Sequence, residues 1–133
     1  TSWDSTITAA KSAYKQANIG PKNIDIAEVH DAFTPVELIS YEDLGFCRKG
    51  GGPSLIRQGI TKIHGDLPVN TSGGLKAKGH PISATGISQV YELFLQLTEN
   101  AGKRQVNNVE CGLTHNIGGA GSITSVHILK KAM

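Results

Sequence analysis

The apolar residues of this chain change period several times, and that alternation limits its fold more than any composition value does. Ile7, Ala10, Ala13, Tyr14 and Ala17 recur at helical spacing. Asp4 or Ser5 can cap the helix they define, and Gly20-Pro21 stops it near Ala17. Ile24, Ile26 and Val29 read as a short strand ending near His30. Pro35 suits the first turn of a second helix, which carries Val36, Leu38, Ile39 and Leu44 and ends by Gly45. Residues 46–53 are a glycine-rich loop without the Lys-Ser or Lys-Thr that would mark a phosphate cradle, so they read as a flexible excursion. Ser54 to Thr61 suggests a short helix and Leu67 to Asn70 a strand. A long polar turn from Thr71 to Pro81 leads into a helix over Ser83 to Asn100, predicted to bury Ile87, Val90, Tyr91, Phe94, Leu95 and Leu97. Val106 to Thr114 and Ser122 to Leu129 are two further strands, joined by a tight turn at Ile117–Gly121.

Helices between strands imply parallel pairing in a layered α/β sheet, and the last two strands should pair antiparallel, so the sheet is mixed. With 133 residues, 38% hydrophobic and 18% charged, the chain suits one domain or half of a larger one. Its apolar runs are too short to span a bilayer. A formal charge of +2 and 5% aromatic residues argue against a nucleic-acid partner. Cys47 and Cys111 are too few for a disulfide framework, which points to a reduced, cytoplasmic setting. Thr1 follows no charged-then-apolar leader, and the expectation is a piece of a longer or split protein.

Three histidines fall at or near predicted strand ends, where α/β sheets bind ligands. His30 stands in His-Asp-Ala-Phe, His80 in Gly-His-Pro-Ile-Ser-Ala-Thr-Gly, and His115 in His-Asn-Ile-Gly-Gly-Ala-Gly. Each follows a strand of one sheet, so all three are expected in one pocket. Pro81 restricts His80 to extended backbone and aims it. Three histidines can hold zinc, but none of these has the short spacing of a zinc site, and no metal is expected. His64 and His127 carry no motif; His127 is expected mid-strand, on the face opposite Val126 and Ile128.

The segment Gly73-Gly74-Leu75-Lys76-Ala77-Lys78-Gly79-His80-Pro81-Ile82-Ser83-Ala84-Thr85-Gly86 resembles the histidine motif of the thiolases. His30-Asp31-Ala32-Phe33 falls where thiolases carry Asn-Glu-Ala-Phe, and His115-Asn116-Ile117-Gly118-Gly119-Ala120-Gly121 where they carry Cys-x-Gly-Gly-Gly. The order and spacing of all three motifs are similar to the family's. Histidine at 30 and His-Asn at 115–116 resemble the sterol-carrier-protein type and archaeal thiolases. Ser83 stands where the family usually has glycine.

The resemblance implies a thiolase-like fold: the whole chain, 1–133, as the C-terminal half, with the half that bears the nucleophilic cysteine lying outside it. It implies an acyl-CoA C-acyltransferase that forms or cleaves 3-oxoacyl-CoA, with coenzyme A thioesters as substrates, no other cofactor, and a homodimer or tetramer. His80 would activate the cysteine, and His30 would donate to the oxyanion or hold a water there. His115 would replace the second catalytic cysteine as acid/base. The backbone of Ile117, Gly118 and Gly119 would form a second oxyanion site, and Gly79 and Phe33 would border the substrate. Asp31 would orient or cap rather than react. The isolated chain would then be inactive. The alternative class is a non-catalytic acyl-CoA or lipid-binding module, or a scaffold subunit of a thiolase complex.

Overall fold

The computed structural model describes residues 1–132. Helix α1 (Asp4–Ala17) ends on Asn18, whose positive φ of 52° closes the last turn. Strand β1 (Ile26–Glu28) follows, then α2 (Thr34–Asp43) and α3 (Gly52–Arg57). A short α4 (Gly74–Lys78) interrupts the predicted polar turn, and α5 (Thr85–Leu97) precedes the hairpin β2 (Cys111–Gly118) and β3 (Ile123–Lys130). The sheet order is β1-β2-β3, parallel between β1 and β2 and antiparallel between β2 and β3. This is the mixed, layered α/β architecture expected. No described helix is long and apolar enough to cross a membrane.

Residues alternate between the two faces of the sheet, and the faces differ. Ala27, Val29, Cys111 and Leu113 pack with Ala10 and Tyr14 of α1 and with Tyr41 and Leu44 at the end of α2. Ile26 packs with Leu93 and Leu97 of α5 on the other face. Gly112 makes that second contact possible: a Cβ there would sit 2.9 Å from Leu93 Cδ1 and 3.2 Å from Ile26 Cγ2. The missing side chain at Gly112 lets Leu93 of α5 sit directly on β2 there.

Four expectations need correction. Leu67–Asn70 is not a strand: only Val69 bridges Ala27, because Pro68 has no N–H to donate and Asn70 turns away with φ 56°. The third predicted strand starts later and runs further, from Cys111 to Gly118 instead of Val106 to Thr114. Asn108, at φ 57°, breaks its first half, and the Asp25 carboxylate starts the ladder by accepting the N–H groups of Glu110 and Cys111. His115 therefore lies inside a strand, not at its end.

The fourth correction concerns α5. Its buried face is Thr85, Gln89, Glu92, Leu93, Gln96 and Leu97, while Ile87, Tyr91 and Phe94 are 72%, 60% and 54% exposed. Most of the buried polar atoms on this face are bonded; the Gln89 side-chain oxygen has no partner among the described residues. Gln89 donates to the carbonyl of His115 (3.0 Å), and Gln96 bridges Arg104 O (2.8 Å) and Val106 N (2.9 Å). Arg104 grips Glu92 through Nε (3.1 Å) and Nη2 (2.9 Å). Burial alone would raise the Glu92 carboxyl; the hydrogen bonds and charge of Arg104, with the bonds from Gln96 and Thr71, together outweigh it and hold the group below the usual carboxylate range. The apolar period marks an amphipathic helix correctly, but it cannot say which side meets this sheet.

Candidate active site

The site grows out of strand parity. Ile26 pairs beside Gly112 and Glu28 beside Thr114, so the even-numbered residues of both strands share the α5 face. Two residues further along, His30 and Asn116 continue that face and meet: His30 Nδ1 donates to Asn116 Oδ1 at 3.0 Å. Gly86 faces Asn116 from the α5 side, where a Cβ would come into contact with its amide nitrogen at 3.4 Å. His30 is 6% exposed, and burial lowers its proton affinity while the Asn116 bond opposes that shift.

His80 arrives from the loop before α5. Its ring meets the His30 ring edge to face, with centroids 5.0 Å apart and planes at 83°. Nδ1 of His80 lies 2.6 Å from Thr85 Oγ1, and Thr85 is buried at the start of α5. The Thr85 hydroxyl points on to Pro81 O at 3.4 Å. With the hydroxyl proton directed there, Thr85 accepts from His80 Nδ1–H, so the neutral ring keeps its lone pair on Nε2, the form a general base needs. Ser83 holds φ 69° in this loop. That is the left-handed region where a side chain is costly, which accounts for glycine at this place in the family pattern.

A cleft of about 1000 Å³ opens over both rings. Asn116 and Ile117 to Gly121 form one wall, and Phe33, Ile82 and Ile87 form apolar stretches of the others. Trp3 closes one corner against Gly121, where a Cβ would come 2.4 Å from the indole. Ser5 Oγ donates to the Gly121 carbonyl at 2.7 Å and so ties the hairpin turn to the start of α1. Of the backbone sites read from the sequence, Ile117, Gly118 and Gly119 all border the cleft. Ile117 and Gly118 are paired with Thr124 and Ile123, while Gly119 is in the turn. Phe33 borders the cleft and is 71% exposed; Gly79 lies outside the lining, and its φ of 93° supplies the bend that delivers His80.

His115 does not join this group. It is fully buried on the α1 face, where its Nε2 lies 3.0 Å from Thr6 Oγ1 and its Nδ1 has no partner among the described residues. Burial, with the nearby His30 charge adding to it, depresses its pKa to about 3. The expectation of three imidazoles in one pocket is therefore corrected to two imidazoles and the Asn116 amide. The reason is the two-residue period: side chains at 115 and 116 point to opposite faces. Counting Cys-x-Gly-Gly back from Gly118 and Gly119 places the family's cysteine position at Asn116, so the motif itself held the signal. Thr85, the partner of His80, carried no signal of its own in the sequence.

Residues 1–131 match the family model described as "Thiolase C-terminal domain-like". An "Acetyl-CoA acetyltransferase" of Methanothermobacter thermautotrophicus is 52% identical over 128 residues, which is 96% of this chain and 33% of that protein. Another of that name, from Methanocaldococcus jannaschii, is 46% identical over 97% of the chain and 34% of its own length. "Sterol carrier protein 2" of Rattus norvegicus is 42% identical over 90% of the chain and 22% of its own length. The solved "Ltp2-ChsH2(DUF35) aldolase" superposes with a TM-score of 0.88 at 29% identity, over 98% of this chain and 33% of that one. The chain thus spans between a fifth and a third of these relatives. It belongs to the thiolase C-terminal domain-like family.

Proposed function

We propose that the protein carrying this chain is a thiolase-type acyl-CoA C-acyltransferase, and that this domain supplies its base and part of its oxyanion machinery. The observation that carries the reading is the edge-to-face meeting of His30 and His80 at 5.0 Å over a cleft with apolar walls. The acetyl-CoA acetyltransferases among the relatives support it. The nucleophile would be a cysteine in the N-terminal half, outside these residues. His80 Nε2 takes the thiol proton, the thiolate adds to the thioester carbonyl, and coenzyme A leaves to give an acyl-cysteine. Asn116 fixes the His30 ring, and His30 stabilises the oxyanion or moves the proton of the second acyl-CoA. Lys76, the other titratable group on the cleft wall, is held by Glu37 at 2.9 Å. We assign the second acid/base step to His30 because His115 stands behind the sheet. Further expectations are coenzyme A thioesters as the sole cosubstrates, a dimer or tetramer, and a cytoplasmic location suited to two free cysteines.

A second reading, an acyl-CoA- or lipid-binding module or a scaffold subunit, draws on the exposed apolar rim of the cleft, with Ile82 at 92% exposure. One experiment separates the two. The full-length protein is mixed with acetyl-CoA and the acyl-cysteine is followed by mass spectrometry. The enzyme reading expects acylation in the wild type, its loss in His80→Ala, and its retention in His30→Ala with slowed condensation. Binding of acetyl-CoA without any acylation supports the module instead.

A further inference from the structure

We propose that Glu28 and Asp31, the buried carboxylates at the end of β1, are positioning residues that hold residues 71–79 so that His80 meets His30. This rests on the function proposed above and names two residues that would act through His80 without touching substrate.

Glu28 is fully buried two residues before His30, on the same face of the sheet. Both of its oxygens are spent on one point of the loop. Oε1 accepts Ser72 N at 3.1 Å, and Oε2 accepts Ser72 Oγ at 2.5 Å. Lys78 Nζ, four residues past Gly74, donates to Ser72 Oγ at 2.7 Å and lies 3.5 Å from Glu28 Oε2. The start and end of the loop are thereby tied to one carboxylate. Burial pushes the Glu28 carboxyl up, and the Ser72 bonds and Lys78 oppose that.

Asp31 holds the middle. It is 3% exposed, and its Oδ1 accepts Leu75 N, in α4, at 2.7 Å. Its carboxylate occupies the space a side chain at position 74 would need: a Cβ there would be 2.2 Å from Oδ2. Gly74 also has φ 63°, so both space and backbone require glycine. Asn70 completes the tether by accepting Val29 N at 2.8 Å. Glu28 and Asp31 thus grip the segment that ends in His80, and His30, between them, is what His80 meets. Reacting groups on separate segments must be held to well under an ångström, and a misplacement of about 1 Å can cost about 10²-fold in rate.

The test uses the full-length protein with histidine rings labelled for NMR, together with steady-state kinetics. The wild type should show a cross-peak between the His30 and His80 rings. Glu28→Gln and Asp31→Ala should abolish it, raise amide exchange over residues 71–79 by about tenfold or more, and lower kcat by about 10²-fold with KM little changed. Asp31→Asn keeps an acceptor oxygen and should restore most of the cross-peak. If a buried-site variant fails to fold, Ser72→Ala decides, since it leaves both carboxylates in place; it should weaken the cross-peak, and Ser72→Thr should restore it. An unchanged cross-peak and unchanged exchange in Ser72→Ala and the folded variants would overturn the proposal. A lost cross-peak with unaltered acyl transfer would uphold the positioning and instead sink the catalytic role of His80.

Discussion

The two flanks of the sheet use the same residue types for opposite purposes. On the α1 flank a histidine, His115, is sealed among Thr6 and apolar neighbours and is held neutral. On the α5 flank two histidines share an open cleft, polar side chains are buried, and large apolar ones face outward. A histidine in a motif therefore signals chemistry only once its face is known. Burial without a charged partner removes an imidazole from acid/base work near neutrality, while a bonded Nδ1 and an accessible cleft prepare one for it.

The comparison breaks most directly at His80 and His115. In the full-length protein His80→Ala should lower acyl transfer by about 10²–10⁴-fold with little change in stability. His115→Ala should do the reverse: it empties a buried volume and should cost about 2–4 kcal/mol in urea unfolding, as large-to-small core changes do. If His115→Ala proved stable and selectively blocked condensation, the flanks would not differ in the way described.

A pH titration of stability sharpens the same contrast. The folded pKa of His115 is about 3, below the ordinary value of 6.5. The stability that neutral His115 contributes is thus fully present above pH 6.5. It is lost as pH falls from there toward 3, because the unfolded chain takes up a proton that the folded one refuses. The slope from this one group approaches about 1.4 kcal/mol per pH unit. His115→Gln should remove it, so unfolding curves measured at pH 6 and pH 4.5 should lie closer together than in the wild type. An equal spacing in both proteins would mean that His115 is not sealed.

Smaller effects belong to the outer side of α5. Ile87, Tyr91 and Phe94 form an exposed apolar stripe with half-buried Val90, the kind of surface that promotes association. The 133-residue chain should self-associate at high micromolar concentration, and Ile87→Glu with Phe94→Glu should shift sedimentation toward the monomer. A monomeric wild type would count against an unpartnered flank. The smallest effect is expected at Ser83. Replacing it with glycine relieves a left-handed side chain and should change stability by no more than about 1 kcal/mol, in the favourable direction. A clear loss would show that the Ser83 side chain is needed where it is.

Much of the fold was legible in the chain. The helix over Asp4–Ala17 and the proline-led helix at Thr34 follow from period and proline placement, which are local, and the parallel and antiparallel pairings and layered architecture follow from connection rules; the side-chain cap expected from Asp4 or Ser5 is not formed, since both lie inside the helix and Trp3 precedes it. So did the candidate histidines at 30 and 80, through motifs whose glycines and prolines are local requirements of the backbone. Three things were decided only by tertiary structure. The burial of Gln89, Glu92 and Gln96 depends on carbonyls and an arginine that the chain brings from residues 104–115. The start of β2 at Cys111 depends on a carboxylate from Asp25, 86 residues away. The separation of His115 from Asn116 depends on strand register, where a shift of one residue exchanges the faces of the sheet. Local periodicity states that a residue has a side; only the packing of distant segments states what lies on that side.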